Sequence, residues 1–316
     1  MSSRTEFIEA LQTGSHDLLR RIPKTDTHNH FIFGTRRKHI EQWQNVCLPP
    51  TPSKFSTLDE MREYARKILY PYIASHVGIE FVIDSAVRDA IHDGVAILEM
   101  SIDTRFIEMY SSAVREMTGY LETIRARYRP FISFRPELGI ARDREFREIE
   151  RTVQECIDSG CFVSIDLYGN ETIKEPECYV PFYARARRAG MKLKAHVGEF
   201  GSAESVRHTV EVLELDEVQH GINAADSPDV MNWLASSRIR LNVCPTSNVM
   251  LCRAPDLKRH PIRKLVDCGI TVTINTDDLM IFDQSVSDEY LNLFHAKVFS
   301  AAELDQIRSQ ALEQLS

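Results

Sequence analysis

Four places in this sequence put metal-binding or proton-transferring side chains where an apolar run ends. His28-Asn29-His30 closes the run that begins near Thr25. On a strand, side chains two apart point the same way, so the two imidazoles share one face and make half of a metal site. His196-Val197-Gly198-Glu199 and His220-Gly221 each place a histidine at the end of a further run. Ile270–Ile274 leads into Asn275-Thr276-Asp277-Asp278. Two adjacent carboxylates repel each other, which raises one pKa unless a cation neutralises the pair.

Taken singly, each signal has a plainer reading. The first histidine pair could be polar residues on a half-exposed strand. Glu199 could sit in a helix N-terminal turn, where an acid is favoured electrostatically. His220 could be a hydrogen-bonded core residue, and Asp277-Asp278 a turn that caps a helix. Taken together, three histidines and an aspartate at strand ends match zinc's preference for imidazole and carboxylate, with one position left open for water. A structural zinc would close its shell, commonly with cysteines, and none are spaced for that.

Such residues need a scaffold that brings many strand ends together. Eight strand-like runs alternate with amphipathic stretches: Thr25–Phe33, Val95–Ile102, Pro130–Leu138, Cys161–Tyr168, Met191–Val197, Glu217–Gly221, Ile239–Cys244 and Ile270–Thr276. Helical patterns include Ser111–Tyr128, Asp143–Ser159, Ser202–Leu213 and Asp226–Ala235, with Ser202 and Asp226 as N-caps. The alternation predicts an α/β fold with a parallel sheet, and eight strands close a (β/α)8 barrel. Residues 1–316 read as one barrel domain with an extra N-terminal helix. The segment Asn45–Glu80 is too long for a simple crossover and is expected to form a helical insertion, a lid over the first strand's loop.

These blocks resemble the adenosine deaminase family of metal-dependent aminohydrolases. The resemblance rests on His28-Asn29-His30, Asp166-Leu167-Tyr168-Gly169-Asn170-Glu171, His196-Val197-Gly198-Glu199-Phe200-Gly201-Ser202, His220-Gly221 and Asn275-Thr276-Asp277-Asp278, in that order. Asn242-Val243-Cys244-Pro245-Thr246-Ser247-Asn248 looks like the family's C-P-x-S block. The resemblance implies that His28, His30, His196 and Asp277 hold one Zn2+ per chain. It implies a water nucleophile whose pKa the metal lowers to roughly 7. His220 and Asp278 would orient that water, and His220 could take its proton. Glu199 would protonate a ring nitrogen, and Gly169 would offer its backbone N–H to another. The reaction implied is hydrolytic deamination of an adenine-type ring, in adenosine or a related aminopurine nucleoside. The strand before Gly169 carries no lysine for a carbamylated bridge, which favours one metal over two.

The sequence departs from the family after its first motif. The run is His30-Phe31-Ile32-Phe33-Gly34, and Ile32 stands where the family places a polar residue that contacts the sugar. Ser101 stands two places after Glu99, where the family often has arginine. Arg36, Arg37 and Lys38 could reach a phosphate or carboxylate on a substrate, or they could be a solvated helix start. The alternative is thus a deaminase of a non-adenosine aminopurine or a modified nucleoside or nucleotide. From another class, the alternative is a non-catalytic barrel that only binds a ligand.

Composition narrows the setting. A net charge of -8 argues against a nucleic-acid polymer as partner, which usually needs a basic face. No apolar run approaches the roughly 18 residues of a membrane span. Met1–Arg21 lacks the apolar stretch of a secretory signal. Seven cysteines, an odd number without a C-x-x-C pair, read as reduced thiols. The expectation is a cytoplasmic protein whose partner is a small aminopurine, with its oligomeric state left open.

Overall fold

The computed structural model describes residues 3–110 and 113–315. Eight strands follow one another in space as they do in sequence, all parallel: β1 (Lys24–His30), β2 (Val95–Asp103), β3 (Ser133–Ala141), β4 (Ser164–Tyr168), β5 (Lys192–Val197), β6 (Glu217–His220), β7 (Arg240–Val243) and β8 (Val272–Ile274). The chain returns to its start just past β8. Asp277 N–H donates to His28 O at 2.9 Å, and His30 N–H donates to Asp277 O at 3.2 Å. This bridge closes the ring of strands and brings Asp277 beside the two histidines of β1.

All eight expected strands are present, with shifted ends. The third begins at Ser133 rather than Pro130, because Arg129–Phe131 turn after the preceding helix and leave Phe131 exposed. The first stops at His30, where Phe31–Phe33 coil into a single 3-10 turn. The helix expected from Ser111 runs over Ala113–Tyr128, and Ser111 itself lies outside the described residues. Ser202 caps its helix as expected by accepting from Ser205 N–H. The cap expected at Asp226 is Ser227 instead, which accepts from Val230 N–H. Pro228 follows it at the first helical position, where a missing N–H costs nothing.

Interior residues climb the barrel in layers because alternate side chains on a strand share a face. On β2 these are Glu99, Ser101 and Asp103; on β5 they are Lys194 and His196. The lower layer is ionic. Lys194 Nζ donates to Glu99 Oε2 and, at 2.8 Å, to Glu137 Oε2, with Glu217 Oε2 at 3.7 Å. Burial works against the lysine's charge, yet the three carboxylates hold it protonated. Glu217 also pairs with Arg240, and Asn242 Nδ2 donates to it at 3.0 Å. The upper layer carries the histidines. The N-terminal helix Ser3–Thr13 packs beside the C-terminal helix Ala301–Leu315, with Phe7 edge-on to Tyr290. No helix among the described residues is long and apolar enough to cross a membrane.

The insertion after β1 is helical, as Leu58–Tyr64, Ala65–Leu69 and Tyr70–Ile73. Thr57 caps the first piece by accepting from Glu60 N–H. Leu58, Met61, Arg62, Arg66 and Tyr70 face the mouth of the barrel.

The ionic layer generates a stability prediction. Lys194→Met removes the shared cation and leaves Glu99 and Glu137 buried without it. Breaking a buried ion pair from one side typically costs about 3–5 kcal/mol. Chemical denaturation should show a loss of that size, and a loss under about 1 kcal/mol would mean that neighbouring groups absorb the charge.

Candidate active site

Three imidazoles and a carboxylate converge at the upper end of the barrel. His28 Nδ1 lies 3.0 Å from the backbone carbonyl of Asn242, which can only accept, so this nitrogen carries a proton. His196 Nδ1 likewise donates to Asp166 Oδ1 at 3.1 Å. Burial drives both rings well below the usual histidine range, so both are neutral. Their Nε2 atoms are then bare lone pairs, and they face each other at 3.0 Å. His30 Nε2 stands 3.2 Å from His196 Nε2. Asp277 Oδ1 lies 3.3 Å from His30 Nε2 and 3.6 Å from His28 Nε2. Its other oxygen accepts from Ser247 Oγ at 2.6 Å.

Lone pairs do not hold one another in place. A cation between them would make every one of these orientations favourable, so the donor set fits a divalent metal. Asp278 adds to the case. Its Oδ1 is buried without a hydrogen-bond partner, and burial beside Asp277 pushes the carboxyl up to about 8. Cys244 also lies within reach of His28 and Asp277, but burial pushes its thiol well above the usual range, which disfavours a thiolate ligand.

Glu199 enters from the loop after β5. Its carboxyl is held far above the ordinary range, first by burial and then by the charges of Asp277 and Glu171. It is therefore protonated at neutral pH. Burial keeps the His28, His196 and His220 rings neutral, whereas against the pull of burial the carboxylates beside His30 push that ring's pKa up to about 10. Its backbone is pinned on both sides. Glu171 accepts N–H bonds from Gly198 at 2.6 Å, from Glu199 at 3.0 Å and from Phe200. Asn223 Nδ2 donates to Glu199 O at 3.2 Å and to Gly201 O at 2.7 Å. His220 Nε2 lies 3.5 Å from Glu199 Oε2 and 3.8 Å from Asp277 Oδ2. His220 and Asp277 both adopt left-handed backbone, with φ of 63° and 60°. Such strain in non-glycine residues gathers at functional sites.

A cavity of about 320 Å³ opens above these groups, at the small end of the range for ligand sites. His30, His196, Glu199, His220, Asp277 and Asp278 line it, as do Gly169 and Ile32. Gly169 has φ of +100°, and a Cβ there would lie 2.7 Å from an Arg62 guanidinium nitrogen. The left-handed backbone strains any other residue there, and a side chain would displace the end of Arg62. Ile32 is buried in the wall with Phe31 and Phe33 and offers nothing polar.

Arg36 is not brought to this cavity, which corrects the anion contact considered for it. Its guanidinium turns outward to Asp283 at 3.0 Å and Asp288 at 3.2 Å, because Arg36 caps the helix Arg37–Gln44 that leads away from the mouth. The arginines that do line the cavity are Arg62, Arg66 and Arg105. The sequence reading also missed a polar wall formed by Ser101, Asp103 and Tyr168, where the Tyr168 hydroxyl donates to Asp103 Oδ2. A signal for the wall existed. Ser101 and Asp103 continue the inward-facing alternation of Glu99.

The sequence and the fold have counterparts among known proteins. A family model described as adenosine deaminase matches residues 72–315. A Treponema pallidum (strain Nichols) protein named for adenosine/adenine deamination is 37% identical over 279 residues, covering 88% of this chain and 93% of that protein. An adenine deaminase of Trichlorobacter lovleyi is 37% identical over 153 residues, covering 48% of this chain and 44% of that protein. Among solved structures, an adenine deaminase from Arthrobacter aurescens shares the fold with a TM-score of 0.80 at 22% identity, covering 92% of this chain and 93% of that one. A Burkholderia ambifaria amidohydrolase with bound Zn shares it with a TM-score of 0.77 at 22% identity, covering 99% and 88%. The chain belongs to the adenosine deaminase family.

Proposed function

We propose that this protein is a zinc-dependent aminohydrolase that converts an adenine-type ring, in adenosine or a related aminopurine nucleoside, to the ring carbonyl and ammonia. One observation carries the reading. A buried, protonated Glu199 shares a cavity with His196, whose bare nitrogen converges with that of the neutral His28 ring behind it. Displacing an amine from an aromatic ring by water needs an acid for the ring and an activated water beside it; Glu199 supplies the acid, and the convergent nitrogens would hold the metal that activates the water. The names of the Treponema and Trichlorobacter relatives support the same chemistry and keep both the nucleoside and the free base in view.

His28, His30, His196 and Asp277 would hold the zinc. When bound, the ion supplies Lewis acidity and lowers the pKa of water toward neutrality. Asp166 and the Asn242 carbonyl keep the His196 and His28 rings turned inward by accepting their Nδ1–H bonds. Glu199 delivers its proton to a ring nitrogen next to the carbon under attack, which makes that carbon electrophilic. Gly169 N–H receives a second ring nitrogen, and the absence of a side chain lets the flat ring approach. His220 and Asp278 flank the attacking water. The seven free cysteines fit a cytoplasmic setting.

Three outcomes test this reading. Purified protein should carry close to one zinc per chain by elemental analysis and should release ammonia from at least one aminopurine in a panel of bases, nucleosides and nucleotides. Metal-free protein that keeps full activity would overturn it. Glu199→Gln keeps the shape without the transferable proton, and its rate should fall by at least about 10²-fold with zinc retained. In wild type, kcat/KM should hold while Glu199 is protonated and fall as pH rises through its elevated pKa, because the acid form is the working form.

The apolar wall at Ile32 bears on the substituent. A missing contact to a hydroxyl is worth about 1–3 kcal/mol, or roughly ten- to a hundredfold. Adenosine and 5′-deoxyadenosine should therefore differ by less than about tenfold in kcat/KM. A hundredfold preference for adenosine would mean that another group, such as Arg62 or Asp103, contacts the sugar.

A further inference from the structure

Three guanidinium groups line the mouth of the cavity, and they are not equally engaged. Arg66 closes a two-point pair with Glu63, at 2.8 Å to each carboxylate oxygen. Arg105 Nη2 donates to Asp143 Oδ1 at 2.8 Å. Arg62 is held more loosely. Asp59 Oδ1 stands 3.7 Å from its Nη1, and the Asp59 side chain is 80% exposed. Exposed pairs at helical spacing do little to hold either side chain. The carboxylates of the mouth do not answer Arg62 either. Asp103 accepts from the Tyr168 hydroxyl and from Arg105 N–H, and Asp143 is taken by Arg105. The charge of Arg62 is therefore available to a group that enters the mouth.

The lid carries that charge to a particular spot. The helix Leu58–Tyr64 starts on its Thr57 cap, and Met61, one residue before Arg62, is buried. A Cβ on Gly169 would lie 2.7 Å from Arg62 Nη2 and 4.0 Å from its Cζ, so the guanidinium stands against that backbone. Gly169 follows β4 and Glu199 follows β5, and these strands are neighbours. Neighbouring contacts meet the two nitrogens on one edge of a six-membered purine ring. With Glu199 on the nitrogen beside the carbon under attack, Gly169 N–H meets the nitrogen one carbon further round. That nitrogen is bonded to the carbon that carries N9, where a nucleoside bears its sugar. Arg62 thus stands at the substituent and away from the amine.

We propose that Arg62 is a specificity-determining residue that pairs with an anionic group, a phosphate or a carboxylate, on the sugar at N9, so that this chain prefers a negatively charged aminopurine nucleoside to neutral adenosine. The inference rests on the deaminase reading for the placement of the ring. An arginine suits the task, because its planar fork meets two oxygens of either anion at once. The apolar wall agrees with it. Ile32, Phe33 and Leu58 offer no side-chain partner to a neutral hydroxyl, which leaves the charged lid to select the substituent. Stacking on the ring is the competing role for Arg62. It would leave the charge unanswered, and the Arg62 side chain is 35% exposed, at the rim of the cavity.

The test compares kcat/KM for adenosine, adenosine 5′-monophosphate and adenosine 5′-carboxylic acid in the full chain with zinc. The two anions separate phosphate recognition from carboxylate recognition. The better of them should exceed adenosine by at least about tenfold, the size of one charge-assisted pair. That preference should shrink as salt rises. Arg62→Ala should lower the ratio of anionic to neutral kcat/KM by about ten- to a hundredfold, and Arg62→Lys should restore part of it. Arg66→Ala removes a guanidinium already taken by Glu63 and should keep the ratio. Adenosine preferred to both anions would overturn the proposal, as would a ratio that survives Arg62→Ala or is lost only in Arg66→Ala. An equal loss in Arg62→Ala on adenine, adenosine and the anions would show that the guanidinium stacks on the ring instead. Calorimetric binding of the same nucleosides to metal-free protein needs no turnover. The preferred anion should bind more tightly than adenosine there, and Arg62→Ala should remove the difference. Protein that passes the binding test yet releases no ammonia from any aminopurine would refute the deaminase reading and leave Arg62 as an anion contact.

Discussion

Two neutral imidazoles that face each other with bare nitrogens at 3.0 Å form the constraint on which the rest of the site depends. Such an arrangement is unfavourable on its own and becomes favourable around a cation. It is held because each ring is anchored from behind, His28 by a β7 carbonyl and His196 by a β4 carboxylate. The anchors come from different strands, so only a closed barrel can supply both. The closing bridge between β1 and the end of β8 then delivers Asp277 to the same point. Fold and ligand geometry are the same fact seen at two scales.

The barrel interior divides its charges by height. Below, Lys194 draws three carboxylates together and satisfies them. Above, Asp278 has a bare oxygen and Glu199 keeps a proton it would lose in water. Buried polar networks are costly unless complete. The lower layer is complete and supports the structure. The upper layer is incomplete where substrate and metal would sit, which is where reactivity is needed.

Strand ends and reactive residues were legible because period-two alternation and apolar runs are local signals. His28 and His30 betray themselves by spacing, and Asp277-Asp278 by mutual repulsion. The hydrogen-bond partners behind the site were not legible. Asn248 meets His220 across the loops after β6 and β7, and His260 meets Asn248 from behind, contacts without a sequence signature. Arg36 misled for a similar reason. Its charge was visible, but the helix start that turns it toward Asp283 and Asp288 depends on packing.

The parts that do chemistry and the parts that meet the rest of the substrate come from different elements. The residues proposed as metal ligands and proton carriers stand on strand ends and the turns just past them, where the barrel fixes their positions. The outer cavity is built by Ile32 in a 3-10 turn, by Arg62 and Arg66 from the helical insertion, and by Asp103 and Tyr168 at the tips of β2 and β4. Changes there alter shape and charge without moving the convergent nitrogens. Sequence can therefore identify the reaction from a few strand ends while leaving the substituent open. The insertion reaches across to Gly169, where Arg62 hangs over the surface assigned to the ring. A guanidinium in that place can stack on a flat ring or pair with an anion attached to it.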